Sequence, residues 1–186
     1  VNLAVLILRS ASLNLGAGGP RGSAFLVDMN KVFEEFVRVA LRRALGADKR
    51  SFPDKPLKMP LDETDRVRLE PDLCLVRNGR AVWVGDAKYK RLPAGAFKNA
   101  DLYQLLAYAT AYDLPGGMLI YAADEGVSSA DYEVRYAGKR LEVRAIDLSK
   151  AATQVLEQVR VLGEQASEHL EPQSVGVVSK GTEFVR

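Results

Sequence analysis

Asn78-Gly79, set between two β-rich runs, is the feature that most narrows what this chain can fold into. Asn and Gly both tolerate the positive φ that a tight hairpin turn requires, and the pair is the strongest short-range hairpin signal. The hairpin extends from Glu70 to Lys90. Asp72 opens its first run, Asp86 lies near the end of its second, and Lys88 is two residues further on. Side chains alternate along a strand, so Asp86 and Lys88 share a face. Register decides whether Asp72 joins them. A two-residue loop pairs Arg77 with Arg80 and Asp72 with Gly85, which sends the carboxylates to opposite faces. A three-residue loop, Asn78 to Arg80, pairs Arg77 with Ala81 and sets Asp72 across from Asp86. The second register, or an equivalent bulge at Gly85, is the expected one, because a carboxylate buried without a partner is costly.

Two adjacent carboxylates repel each other, and a divalent cation between them removes that cost. Hard oxygen ligands favour Mg2+, with Mn2+ as the alternative. A lysine beside them can hold a phosphate oxygen or orient a nucleophilic water. Together these groups suit metal-assisted phosphodiester hydrolysis.

Little else in the chain competes as a hydrolytic centre. The 186 residues contain one Cys and one His, which rules out an intrachain disulfide, a cysteine cluster for zinc and a multi-histidine metal site. Cysteine usage of this kind points to the cytoplasm by default, and Cys74 sits in an apolar run that marks it as core. A net charge of +2 neither demands nor excludes nucleic acid, since a carboxylate site needs only a local basic rim. At 47% hydrophobic residues the chain has material for one folded domain. No run is long enough for a membrane span, and Val1 to Leu8 lacks the flanks of a signal peptide.

Along the chain, residues 1–23 form an N-terminal segment ending in a Gly-rich linker, Gly16 to Ser23. That linker lacks the Gly-Lys-Ser/Thr ending of a phosphate loop. Phe25 to Val27 suits a short strand. Asp28 or Asn30 caps a helix to about Leu45, with Phe33, Phe36, Val37, Ala40 and Leu41 on its apolar face. At about 100° per residue Glu34 borders that face and Glu35 points away, so Glu34 can reach an internal site or serve as a surface acid. Arg38, Arg42 and Arg43 could touch phosphates or line a solvated face. Ala47 to Asp65 reads as a loop with one short strand. Arg91 to Lys98 is another loop, and Lys90, Arg91 and Lys98 add positive charge beside the hairpin's open end.

Asn99 begins a helix to about Tyr112, on which Gln104 and Tyr108 share a face. Met118 to Ala122 suits a buried strand, and Ala137-Gly138 turns a second hairpin. Asp147 or Ser149 caps a last helix of about Ala151 to His169. The expected fold is α/β, a mixed central β-sheet flanked by helices, over residues 24–170, with a tail at 171–186.

Pro71-Asp72 followed by Asp86-Ala87-Lys88 resembles the PD-(D/E)xK restriction-endonuclease-like superfamily. The block Asn30-Lys31-Val32-Phe33-Glu34 precedes the hairpin, and Asp101-Leu102-Tyr103-Gln104-Leu105-Leu106-Ala107-Tyr108 follows it. With these blocks in order, residues 24 to 148 resemble the McrC family, the nuclease subunit of the modified-cytosine restriction system. The resemblance implies DNA as substrate, with Asp72 and Asp86 as Mg2+ ligands and the Ala87 carbonyl as a further one. It implies Glu34 on the metal directly or through water, and Lys88 at the nucleophile. It also implies help from Gln104, with Tyr108, Lys90 and Arg91 on the substrate side. An McrB-like GTPase is the implied partner, although the segment before residue 24 is short for the N-terminal region that binds it. A stand-alone repair or mobile-element nuclease and a non-catalytic DNA-binding subunit are the competing expectations.

Overall fold

The computed structural model describes residues 28–55, 57–90, 99–123 and 129–168. The expectations for residues 1–23, for Phe25 to Val27, for Arg91 to Lys98 and for the tail lie outside the described residues.

In chain order the elements are α1 (Met29–Ala44), β1 (Met59–Pro60), β2 (Arg68–Leu69), β3 (Leu73–Arg77), β4 (Arg80–Lys88), α2 (Asn99–Ala111), β5 (Gly116–Ala123), β6 (Ala130–Val134), β7 (Lys139–Asp147) and α3 (Ala152–Glu168). Five strands make one mixed sheet in the order β3-β4-β5-β7-β6, while β1 and β2 form a separate antiparallel pair. The inner strands β4, β5 and β7 run parallel, and the hairpins add β3 and β6 as antiparallel edges. β5 is buried along its whole length, which is why its sequence is a continuous apolar run without alternation.

Helices cover both faces. Phe33, Val37 and Leu41 of α1 and Val159 and Leu162 of α3 pack with Trp83, Ala87 and Ile146 on one side. Leu105 and Tyr108 of α2 pack with Cys74, Val84, Leu119 and Tyr121 on the other. Each fully buried large side chain contributes about 1.5–3 kcal/mol to the fold. Cys74 is core, as expected, and burial pushes its thiol up to about 11, so it is not a reactive nucleophile.

Local chemistry fixes the helix ends. The Asp28 carboxylate caps α1 by accepting from the backbone N–H of Asn30 at 3.1 Å. Neither Asp147 nor Ser149 caps α3, contrary to the sequence expectation. Asp147 Oδ1 is taken up by Ser149, whose N–H and hydroxyl both donate to it. The Ala151 N–H donates instead to Gln154 Oε1 at 3.2 Å, half of a capping box built from the glutamine side.

The β3–β4 hairpin reaches the expected outcome by a different route. Arg77 pairs with Arg80 across a two-residue turn, with Asn78 at φ 51° and Gly79 at φ 76°. The three-residue loop is therefore absent, because this pair satisfies a tight turn twisted to match its strands. The correction comes further along. Val76 pairs with Ala81, but Leu75 pairs with Trp83, so Val82 is the extra residue of a bulge. Val82 and Trp83 consequently face the same core layer. The bulge restores the parity that the short turn removes. It sits at Val82, not at Gly85.

Gly116 marks where β5 meets β7 most tightly. A Cβ there would lie 1.9 Å from the Arg140 carbonyl oxygen, a backbone atom that cannot swing aside. Gly116→Ala is expected to destabilise the fold by about 1–3 kcal/mol or more. Urea denaturation measures this, and an unchanged midpoint would contradict the close approach.

Candidate active site

The site lies where β3 begins and β4 ends. β4 leaves the bulge with Asp86 and Lys88 on the α2 face, while Ala87 between them packs toward α1. Leu73 pairs with Gly85, so one residue further Asp72 stands across from Asp86. Asp72 Oδ2 accepts the Ala87 N–H at 3.0 Å. Within a strand the N–H and C=O of one residue leave on the same side, so the Ala87 carbonyl also points toward Asp72. The Asp72 carboxylate is close enough for its charge to act on the Asp86 carboxyl.

Asp86 is 1% exposed, and the Lys88 ammonium forms an ion pair with its Oδ2. That oxygen receives no aligned hydrogen bond, so the contact is chiefly electrostatic. Burial, and then the neighbouring Asp72 charge, push the Asp86 carboxyl up to about 7, and Lys88 offsets this only in part. Burial pulls the other way on Lys88, yet Asp86, Asp72 and Asp101 together hold its ammonium above the ordinary lysine range.

Glu34 of α1 joins from the opposite layer. Burial raises its carboxyl pKa, Asp72 raises it further, and Lys88 and Arg38 oppose them. Glu35 turns outward, 40% exposed, and pairs with Arg38 at 2.6 Å. Arg38 also donates from Nε to the Asp72 carbonyl at 3.3 Å, and Arg42 donates to the Phe52 carbonyl at 2.8 Å. Both arginines thus tie α1 to neighbouring backbone. If the site hydrolyses DNA as the resemblance implies, Glu34→Gln slows cleavage by about 10-fold or more, whereas Glu35→Gln leaves it near wild type. Matching rate measurements on the two variants check the phase of α1, and a larger loss in Glu35→Gln would reverse the assignment.

On α2, Gln104 donates from Nε2 to the Tyr108 hydroxyl at 2.7 Å, and that hydroxyl donates to the Glu70 carbonyl at 3.1 Å. The pair fixes the backbone two residues ahead of Asp72. Tyr108 is both core and site, since it is 3% exposed and its phenol pKa is raised first by burial and then by Asp86 and Asp72. Lys90 does not stand free at the rim, because its ammonium lies 2.8 Å from each Asp101 oxygen. Arg91 lies outside the described residues.

Asp101 enters the sequence analysis only as the first residue of the block ending at Tyr108, with no role of its own. It occupies the first turn of α2, three residues before Gln104 and seven before Tyr108, and that shared face was its signal.

Among the described residues no three His, Cys, Asp or Glu side chains cluster closely enough to hold a metal ion by themselves. The donor set fits a hard cation held by fewer protein groups. Asp72 and Asp86 supply adjacent carboxylates, and Asp86 Oδ2 is a buried oxygen without an aligned donor. Mg2+ commonly takes one or two carboxylates and fills its shell with water and phosphate oxygen.

A mixed sheet sandwiched by helices, with a carboxylate pair and a lysine at the open end of its edge hairpin, is the α/β architecture that the resemblance to the PD-(D/E)xK superfamily leads one to expect. The family model described as McrBC 5-methylcytosine restriction system component matches residues 1–122, and the chain belongs to that family. A solved structure of Thermococcus gammatolerans McrB AAA+ hexamers with bound McrC shares the fold, with a TM-score of 0.52 at 19% identity. The match covers 80% of this chain and 34% of that chain, so this chain spans about a third of that relative's length. No curated protein matches the chain. Among the described residues no helix is long and apolar enough to cross a membrane.

Proposed function

We propose that this chain is a Mg2+-dependent DNA endonuclease, the McrC-like cleavage component of a cytoplasmic modified-cytosine restriction system that works with an McrB-like GTPase. The observation that carries the reading is the convergence of Asp72, Asp86 and Lys88 at the open end of one hairpin. Asp72 and Asp86 would hold the cation, with the Ala87 carbonyl as a further ligand and Glu34 reaching it through water. When bound, Mg2+, or Mn2+ in its place, polarises the scissile phosphate and lowers the pKa of bound water.

The chain's own groups do the rest. Lys88, held above the ordinary lysine range, keeps its proton at neutral pH and offsets charge that builds on the phosphate. Arg38 and the Gln104–Tyr108 pair hold the backbone on either side of Asp72, so the carboxylate is placed before substrate arrives.

The test is plasmid cleavage by the chain alone and by the chain with its McrB-like GTPase and GTP. Each is run on methylated and unmethylated DNA, with Mg2+, Mn2+ or EDTA. Cation-dependent cleavage is the expected result. No cleavage in any combination sinks the reading.

A further inference from the structure

Asp101 is 6% exposed, and its carboxylate is held by two side chains from outside its own helix. It belongs to the first turn of α2. It takes both hydrogen bonds of the Lys90 ammonium, just beyond the end of β4, at 2.8 Å. It also accepts from the Tyr121 hydroxyl of β5 at 2.8 Å. Tyr121 is the residue that pairs with Lys88 in the sheet register. Asp101 therefore holds two neighbours of Lys88, one two residues further along the chain and one across the sheet. The same residue sits in the first turn of the helix that carries Gln104 and Tyr108.

A surface acid at a helix start does none of this. An ordinary first-turn carboxylate is solvated and adds a few tenths of a kcal/mol to the helix. Burying a carboxylate is costly and is offset only by well-placed donors, and losing one of those partners leaves an uncompensated buried charge. Lys88 meanwhile must be held when the cation takes over Asp86, the group that now pairs with it.

We propose that Asp101, clamped by Lys90 and Tyr121, is the positioning residue that keeps Lys88 and the Gln104–Tyr108 pair aimed at one point, an inference that rests on the nuclease reading above. Lys90 on this account is an internal tether and not a contact to DNA. Asp101 does not touch the reacting phosphate. It acts through Lys88.

The experiment uses the full chain with its GTPase partner and compares wild type, Asp101→Asn and Lys90→Met. Single-turnover cleavage is expected to fall about 10–100-fold in both variants, the usual cost of losing a group that orients a catalytic one. KM for DNA and Mn2+ stoichiometry should stay at wild-type values, so the loss is confined to the chemical step. Lys90→Met should also leave the salt dependence of DNA binding unchanged, whereas loss of a phosphate contact lowers the slope of log K against log salt by about 1.

Should Asp101→Asn or Lys90→Met fail to fold, the double variant Asp101→Asn/Lys90→Met decides, because it removes the buried charge together with its partner. Wild-type cleavage rates in both variants overturn the proposal. So does a loss of Mn2+ uptake that parallels the loss of cleavage, which marks a general scaffold role, and so does a lowered salt slope in Lys90→Met. If wild type itself does not cut, the nuclease reading fails and takes this inference with it. Wild type that cuts beside unimpaired variants isolates the failure to Asp101.

Discussion

Asp86→Asn is expected to abolish the proposed metal-dependent DNA cleavage while making the metal-free protein more stable at pH 8. Both halves follow from one buried carboxylate. Asp86 is 1% exposed beside Asp72, so its ionised form is costly until a cation arrives. Asparagine keeps nearly the same shape but removes the charge that would bind the cation, and cleavage falls by about 100-fold or more. The stability sign follows from the raised pKa. Below pH 4 the Asp86 carboxyl is neutral in both the folded and the unfolded chain, and the variant gains nothing. As pH rises toward about 7, the unfolded chain ionises freely while the folded one resists, so wild-type stability declines across that window. The variant escapes this decline. Its advantage in EDTA should reach the order of a few kcal/mol above pH 7 and close toward pH 4. Urea titrations at pH 4, 6 and 8 measure it, and a variant less stable than wild type at pH 8 would show that the Lys88 ion pair outweighs the burial cost.

Lys88→Ala separates chemistry from metal binding. The lysine is not a ligand, and in the metal-free protein its ammonium rests against the oxygen that the cation needs. Removing it is expected to lower cleavage by about 10²–10³-fold, the scale seen when one pre-placed charge-stabilising donor is lost. Cation affinity should stay level or rise, since the competing ammonium is gone. Single-turnover cleavage at saturating Mn2+, paired with a binding isotherm, separates the two effects. A variant that loses cation binding along with cleavage would place Lys88 in a structural role.

The hairpin shows where sequence reasoning succeeds and where it stops. Asn78-Gly79 and the alternation of Asp86 and Lys88 are local signals, and they hold. Parity between the two carboxylates depends on the whole ladder. Ala81-Val82-Trp83-Val84 is apolar at every position, so no alternation in it betrays an extra residue. Only the burial of Val82 and Trp83 in the same layer exposes the bulge. Glu34 against Glu35 was legible from helical phase, because the buried stripe through Val32, Phe33 and Val37 sets the rotation of α1. The contacts of Asp101 and Arg38 were not legible, because a first-turn acid and a helical arginine have ordinary surface roles in most helices. Their partners, Lys90, Tyr121 and the Asp72 carbonyl, become neighbours only through sheet order and helix docking.

The claim beneath all of this is that Asp72 and Asp86 share one divalent cation. Titrating the protein with Mn2+ and following free Mn2+ by electron paramagnetic resonance tests it without DNA, partner or turnover. Wild type should take up Mn2+ at this site, Asp72→Asn and Asp86→Asn should each lose that uptake, and Lys88→Ala should keep it. Equal Mn2+ affinity in wild type, Asp72→Asn and Asp86→Asn would contradict the account.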